Sequence, residues 1–474
     1  MHRTSANARP RTQSSRALVS SVAASMVLLS SASFVIFPLI PALQGSLGVS
    51  TAEIGFLAAA GFGAALIAEL LVAPAADRGH ARLMAVIGVL LVGASLGLSA
   101  VSEFGWQLIA ARGLGGFGFG IFVIAASALL VRSDPARSGE LLGRLGSAEL
   151  AGIAIGPLAS GAAVAIASPQ TILAVTAVVV LFALLPVLIG FHERTASRAV
   201  GSDVGSAIGN ALGDALGDDP HPTTGGIAAG VVGFDGTDAD RTLRIGASPP
   251  RSSLDLLRNP VIIGIVVLYA AVMVPTGAYD GIWPRYMADI GAGPLLTAAS
   301  YVFFAIPYVL LAPWAGRLAD RRGGVSAYWR GLAVLLPIIA LYGVVGNPFL
   351  ATGMGFVEST GQALAFIGAA AAMAHTVDPT RAGSAQVLLR GIGLIAATIA
   401  AAVSGLAYQF GGALLLFGGT AIVVAVLAAV GLVMARRRSA KEPEERNPQE
   451  RNLQEPHLQE PSLSERRAKQ HQAR

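Results

Sequence analysis

Apolar runs long enough to cross a hydrocarbon core, which takes about 20 residues of helix, alternate along this chain with short polar turns. Six lie in the first part, over approximately 17–43, 52–76, 82–101, 107–131, 145–166 and 171–191. Six more cover approximately 259–284, 295–316, 325–345, 349–373, 384–408 and 412–435. The pattern predicts an all-α integral membrane fold with twelve transmembrane helices in two six-helix bundles, 17–191 and 259–435. The remaining segments are an N-terminal tail (1–16), a connecting stretch (192–258) and a C-terminal tail (436–474). The two bundles are copies of one pattern. Asp320 follows Asp77 by 243 residues, and nearly the same offset relates Pro284 to Pro41 and Gly291 to Gly48. It also relates Asp378-Pro379-x-Arg381-x-Gly383 to Asp134-Pro135-x-Arg137-x-Gly139, and Ser404-Gly405 to Ser160-Gly161.

Composition supports the membrane reading. The chain is 54% hydrophobic and 13% charged, with a mean hydropathy of +0.64, too apolar for a surface that must face water. Its 57 glycines suit helices that pack closely in lipid. The absence of cysteine excludes disulfides, thiolate metal sites and cysteine nucleophiles. A net charge of +5 invites a nucleic-acid partner, but the arginines sit in short loops and tails, which argues against one. Among the turns between spans, the basic residues fall in the loops at 77–82, 132–144, 317–322 and 374–381, and both tails are also basic, whereas the alternate loops hold only Arg285. The arginine-rich side is therefore expected to be cytoplasmic, with both termini on it, in an inner (cell) membrane. The first apolar run is too long for the core of a signal peptide and has a repeat partner, so cleavage is not expected. The stretch 192–258 is rich in Gly, Asp, Ala and Ser, and reads as a flexible linker. Its recurring aspartates, Asp214 and Asp218, fit low complexity better than a calcium loop. The tail repeats Leu-Gln-Glu-Pro and reads as disordered.

Matched parallel halves are the sequence mark of a secondary transporter, and three motifs sharpen that reading. After the eighth run comes Gly316-Arg317-Leu318-Ala319-Asp320-Arg321-Arg322-Gly323, read as a charged turn, with a weaker copy ending in Asp77-Arg78 after the second. In the fourth run Arg112 sits about one and a half turns inside, followed by Gly116, Gly118 and Gly120. An arginine there costs about 2.5–3.5 kcal/mol to insert, so it must face a partner or a wet cavity. The glycines that follow it are not a dinucleotide loop, because no strand precedes them. The fifth run carries Gly152-x-x-x-Gly156-Pro157-x-x-Ser160-Gly161, where the proline permits a bend and the glycines permit close approach.

Together these features resemble the major facilitator superfamily, over the whole membrane portion. The resemblance implies that Gly316, Asp320, Arg321 and Gly323, with Asp77 and Arg78, act as a cytoplasmic gate latch. Ala73 and His80 replace the glycines in the weaker copy. It implies that Arg112 serves substrate binding or proton movement. The set Gly152, Gly156, Pro157 and Gly161 is similar to the fifth-helix signature of the drug:proton antiporter group, with Ser160 in place of a glycine. Plain helix packing is the competing reading of these small residues.

Proton coupling needs a membrane carboxylate that gains and loses a proton in the cycle. Glu69, Glu149, Asp280 and Glu358 are the candidates. Glu358 falls near the midplane of the tenth run and is preferred. Asp280 is second, near the outer end of the seventh run, with Tyr279 and Trp283 beside it to stack on a cation. Each acid has a structural alternative, pairing with Arg112 or Arg390. The expected function is proton-coupled efflux of small amphipathic compounds, driven by the proton gradient without a cofactor or metal, by a monomer. Uptake of a nutrient or metabolite on the same scaffold is the alternative, and a non-transporting membrane sensor a second. No Ser-His, His-Glu or paired-Asp arrangement points to an enzyme.

Overall fold

The computed structural model describes residues 9–77, 80–134, 137–191, 253–378 and 381–436. Among these, nine stretches are long and apolar enough to cross a membrane. One of them, Ser384–Ala435, is 52 residues long. It lies in a helix whose only non-helical residue is Gly412 (φ 61°, ψ −156°), so it holds the eleventh and twelfth spans joined by one residue. The fifth helix, Ser138–Ala163, and the tenth, Pro348–Thr376, complete the twelve. Glu140, Arg144 and Glu149 dilute the hydropathy of the fifth, and Thr352, Glu358, Ser359, Thr360 and Gln362 that of the tenth.

Local chemistry sets the span boundaries. Asn259 and Asn347 each precede a proline at a helix start and accept from the first free amides, Val261 N–H at 3.0 Å and Phe349 N–H at 2.9 Å. Gly48 and Gly291, matched in the sequence repeat, both take positive φ (65° and 90°) and close the first and seventh spans. The prolines matched in the repeat behave differently. Around Pro38 and Pro41 the first span breaks into Arg9–Phe34, a 3₁₀ turn Phe37–Leu39 and Ile40–Leu47. The seventh runs unbroken from Pro260 to Asp289 with Pro275 and Pro284 inside it, as neighbouring helices in a membrane permit.

Helix begins at Arg9, within the N-terminal tail of 1–16. Two expectations are corrected. Residues 253–258, assigned to the flexible linker, form a 3₁₀ turn, Ser253–Arg258, with Leu256 buried against the second bundle. The segment Gly316–Arg322 is not a turn but the end of the eighth helix, Pro294–Arg322, and the chain reverses at Gly323, whose φ of 84° suits glycine. The rest of the linker, Arg78 and the repeats of the C-terminal tail lie outside the described residues.

In the first bundle the fourth span packs on the second and third, and the first on the fifth. In the second bundle the seventh packs on the long kinked helix, and the tenth on the eighth and ninth. The bundles meet chiefly through two pairs, second with eleventh and fifth with eighth. The repeat maps each of these pairs onto the other. Glycines bring the halves close at the arginine-poor end, where Gly55 meets Ala401 and Gly405, and Gly281 meets Ile54. A Cβ built on Gly55 would stand 2.7 Å from the Ala401 carbonyl, too close for any larger residue.

Candidate functional site

Between the bundles lies a cavity of about 290 Å³, walled by the first, second, fifth and seventh to tenth spans. Its lining is mainly aromatic and aliphatic, with three carboxylates, Glu149, Asp280 and Glu358. Asp280 reaches it because the seventh helix continues past Pro284. It stands nine residues from the Asp289 end, about 14 Å of rise, and Glu358 ten residues from Pro348, about 15 Å. The two acids thus share one depth, deeper for Asp280 than the sequence pattern placed it.

The acids differ in their partners. Asp280 faces Arg112 of the fourth span at 4.0 Å, an ion pair between the halves with side chains 9% and 13% exposed. Arg112 also donates through Nη1 to the Ser33 carbonyl at 2.9 Å and lies 5.2 Å from the centre of the Phe37 ring. These partners offset the cost of holding a guanidinium within the membrane. Glu69 accepts from Arg390 Nε at 2.6 Å, a second pair between halves. Glu358 has no cation paired with it among the described residues. It is 1% exposed, and its Oε2 accepts from the Tyr342 hydroxyl at 2.9 Å. Its Oε1 has no hydrogen bond of ordinary length, and its nearest polar neighbour is the Tyr279 hydroxyl. The Tyr301 hydroxyl on the same cavity wall is buried without a partner among the described residues. Buried polar atoms are nearly always paired, so these groups mark where a polar guest would be held.

Aromatic rings form the rest of the wall. Tyr279 meets Tyr342 edge-on at 6.2 Å between ring centres and Trp283 at 6.1 Å. Trp283 Nε1 donates to Ser300 Oγ at 2.8 Å, and Gln362 Nε2 to Thr276 Oγ1 at 2.9 Å, which fix the seventh span against the eighth and tenth. The arrangement can take an amphipathic molecule with an apolar body and a donor or positive charge aimed at Glu358. Among the described residues, no group of three His, Cys, Asp or Glu side chains is placed to hold a metal ion.

The other candidate residues lie elsewhere. Gly316, Asp320, Arg321 and Gly323 sit at the arginine-rich end, where Asp320 is 70% exposed and 4.0 Å from His375 Nε2. Asp77 closes the second helix, Thr51–Asp77. Gly152 and Gly156 lie against the backbone of Val27–Ser31 in the first span, and Gly161 against Pro294 and Ala298 in the eighth. Helix Ser138–Ala163 runs through Pro157. Gly116 and Gly120 lie against Gly61 and Ala65 of the second span. Packing is what these glycines do in this structure. Sequence reasoning missed Tyr342. Its role comes from a crossing of the ninth and tenth spans, and its only local signal is a tyrosine closing an aliphatic run.

Two bundles of six helices around a central cavity, joined by ion pairs between the halves, define a membrane transporter of the repeated-bundle class. The sequence profile described as the Major Facilitator Superfamily matches residues 22–279 and 261–470, and the chain belongs to that family. A comparison with curated protein sequences finds no match. Among solved structures, the chain is similar to a bacterial homologue of the human lysosomal transporter Spinster, inward-facing and occupied. The TM-score is 0.68 at 12% identity, over 93% of this chain and 100% of that one. It is also similar to the nucleoside transporter NupG, with a TM-score of 0.60 at 13% identity, over 88% and 98% of the two chains. At these identities the likeness is one of fold.

Proposed function

We propose that this protein exports small amphipathic compounds in exchange for protons, by rocking of residues 17–191 against 259–435. The observation that carries this reading is Glu358, a buried carboxylate on the cavity wall without a cation to neutralise it. Arg112 and Arg390 already serve Asp280 and Glu69. An acid left alone in a low-dielectric site exchanges a proton for a cationic or donor group, and that exchange is the coupling step. In the cycle, unprotonated Glu358 admits substrate from the cytoplasm, and an external proton later displaces it and resets the carrier. The direction of export rests on the likeness of Gly152, Gly156, Pro157 and Gly161 to the antiporter signature. The arginine-rich loops put both termini on the cytoplasmic side of the cell membrane. The protein works as a monomer, and the gate lies at the Asp320 and Asp77 helix ends.

The test uses everted membrane vesicles carrying the protein and a pH-sensitive dye, with an imposed inward proton gradient and a panel of cationic and neutral amphipathic compounds. Dissipation of the gradient that requires a compound, and is lost in Glu358→Gln, supports the reading. Glu358→Gln vesicles that retain the wild-type response overturn the assignment of Glu358. Folded protein that answers no compound, in a strain whose deletion loses growth on one nutrient, turns the reading to uptake.

A further inference from the structure

A second concavity, of about 630 Å³, opens at the arginine-rich end of the second bundle, away from the transport cavity. It lies between the seventh, ninth, tenth and twelfth spans. Val261, Ile265, Ala372 and Ala435 make an apolar floor, and Arg322, Arg330 and His375 stand on its wall. Arg330 sits in the second turn of helix Gly324–Tyr342, about 9 Å from its start. Its Nη1 is buried and has no hydrogen-bond partner among the described residues. Arg330 as a whole is half-buried; a guanidinium is always charged and offers five donors, and the one donor nitrogen here that is buried without an acceptor suits an anion from outside the chain. Arg322 is exposed at the end of the eighth helix. The first turn of the ninth helix, Gly324 to Ser326, also lines the groove, and the Ser326 amide is bonded to the Gly323 carbonyl at 3.1 Å. Asp320 Oδ1, an acid beside the site, lies 4.0 Å from His375 Nε2, with both side chains exposed.

The occupant is set by what adjoins the charges. Trp329, the neighbour of Arg330, is 55% exposed and lines the same groove, and Val433 on the twelfth span is 54% exposed. Tryptophan on a lipid-facing flank beside arginines at the end of a span is the arrangement of a membrane interface. A free phosphate would use the arginines and leave this apolar flank empty. We propose that the groove binds an anionic phospholipid, its phosphate held by Arg330 and Arg322 and its acyl chains lying along the Trp329 flank. The lipid would clasp four spans of the second bundle next to the Gly316–Gly323 segment, so that membrane composition bears on the stability of that bundle.

The test is lipid retention by the purified full-length protein, read by native mass spectrometry and by the rise in unfolding temperature on adding lipid. Wild type should hold phosphatidylglycerol in preference to phosphatidylcholine. Arg322→Gln with Arg330→Gln should weaken phosphatidylglycerol by about thirtyfold, each arginine near the surface being worth about a fivefold factor, and leave phosphatidylcholine unchanged. If the double variant does not fold, exposed Arg322→Gln alone should weaken phosphatidylglycerol about fivefold. Equal retention of the two lipids by wild type, or full phosphatidylglycerol affinity in a folded variant, overturns the proposal. So does inorganic phosphate that raises the unfolding temperature as much as the lipid does.

Discussion

Removing Arg390 tests whether its bridge to Glu69 biases the two halves toward the arrangement described here. The bridge joins the second span to the eleventh at 2.6 Å, with Glu69 12% and Arg390 42% exposed. Stripping one partner from a fully buried pair costs about 3–5 kcal/mol, whereas a fully exposed pair is worth about 0–1 kcal/mol. The exposure of Arg390 discounts the larger figure. Arg390→Ala should disfavour the present arrangement by about 1–2 kcal/mol, a factor of about 5–30 in its population. The chain has no cysteine, so Leu71→Cys and Val387→Cys, both exposed near the bridge, give the only labelling sites. Spin labels there report the distance between halves in lipid nanodiscs. The population at the wild-type distance should fall in Arg390→Ala and return when Glu69→Arg is combined with Arg390→Glu. An unchanged distance distribution in folded Arg390→Ala protein refutes the argument.

Two further outcomes follow from the packing and the polar contacts. Tyr342→Phe removes the hydroxyl that donates to Glu358 and leaves the carboxylate without a partner, so heat stability should drop by about 1–3 kcal/mol and the pH profile of transport should move; an unmoved profile would separate Tyr342 from the coupling. Gly156→Ala drives a methyl into the Ser31 backbone and should cost about 1–3 kcal/mol in thermal unfolding. Gly143→Ala, with nothing within 4 Å, is the control and should be tolerated.

Much of the fold was legible because lipid leaves a chain few options. Each span must be a helix about 20 residues long, so hydropathy read together with the repeat and the alternation of arginine-rich loops located all twelve, and the paired Gly48 and Gly291 exposed the duplication. The ends of elements were harder to read. Proline reads as a breaker, yet Pro284 sits inside a helix whose neighbours hold it, and the charged segment at Asp320 is helical up to Arg322. The site was legible in part. Arg112, Asp280 and Glu358 were recognisable as charges inside apolar runs, where each needs a reason. Which acid meets which arginine was not, because partners such as Glu69 and Arg390 lie 321 residues apart and meet through the rotation of whole helices. Tyr342 carried no charge to draw notice.

The two bridges between halves also bear on ancestry. Counted by the repeat offset, 243 up to the fourth span and 244 in the fifth and eleventh, Asp280 corresponds to Phe37, Arg112 to Gly355, Glu69 to Ala312 and Arg390 to Gly146. None of the four charges has a counterpart in the other copy. Two identical ancestral units could mate through their shared helix faces, but the present halves have become a lock and a key, each holding one acid and one base that only the other completes. A chimera that grafts one half of this chain onto the opposite half of a relative would bury orphaned charges unless both matching residues travelled with it.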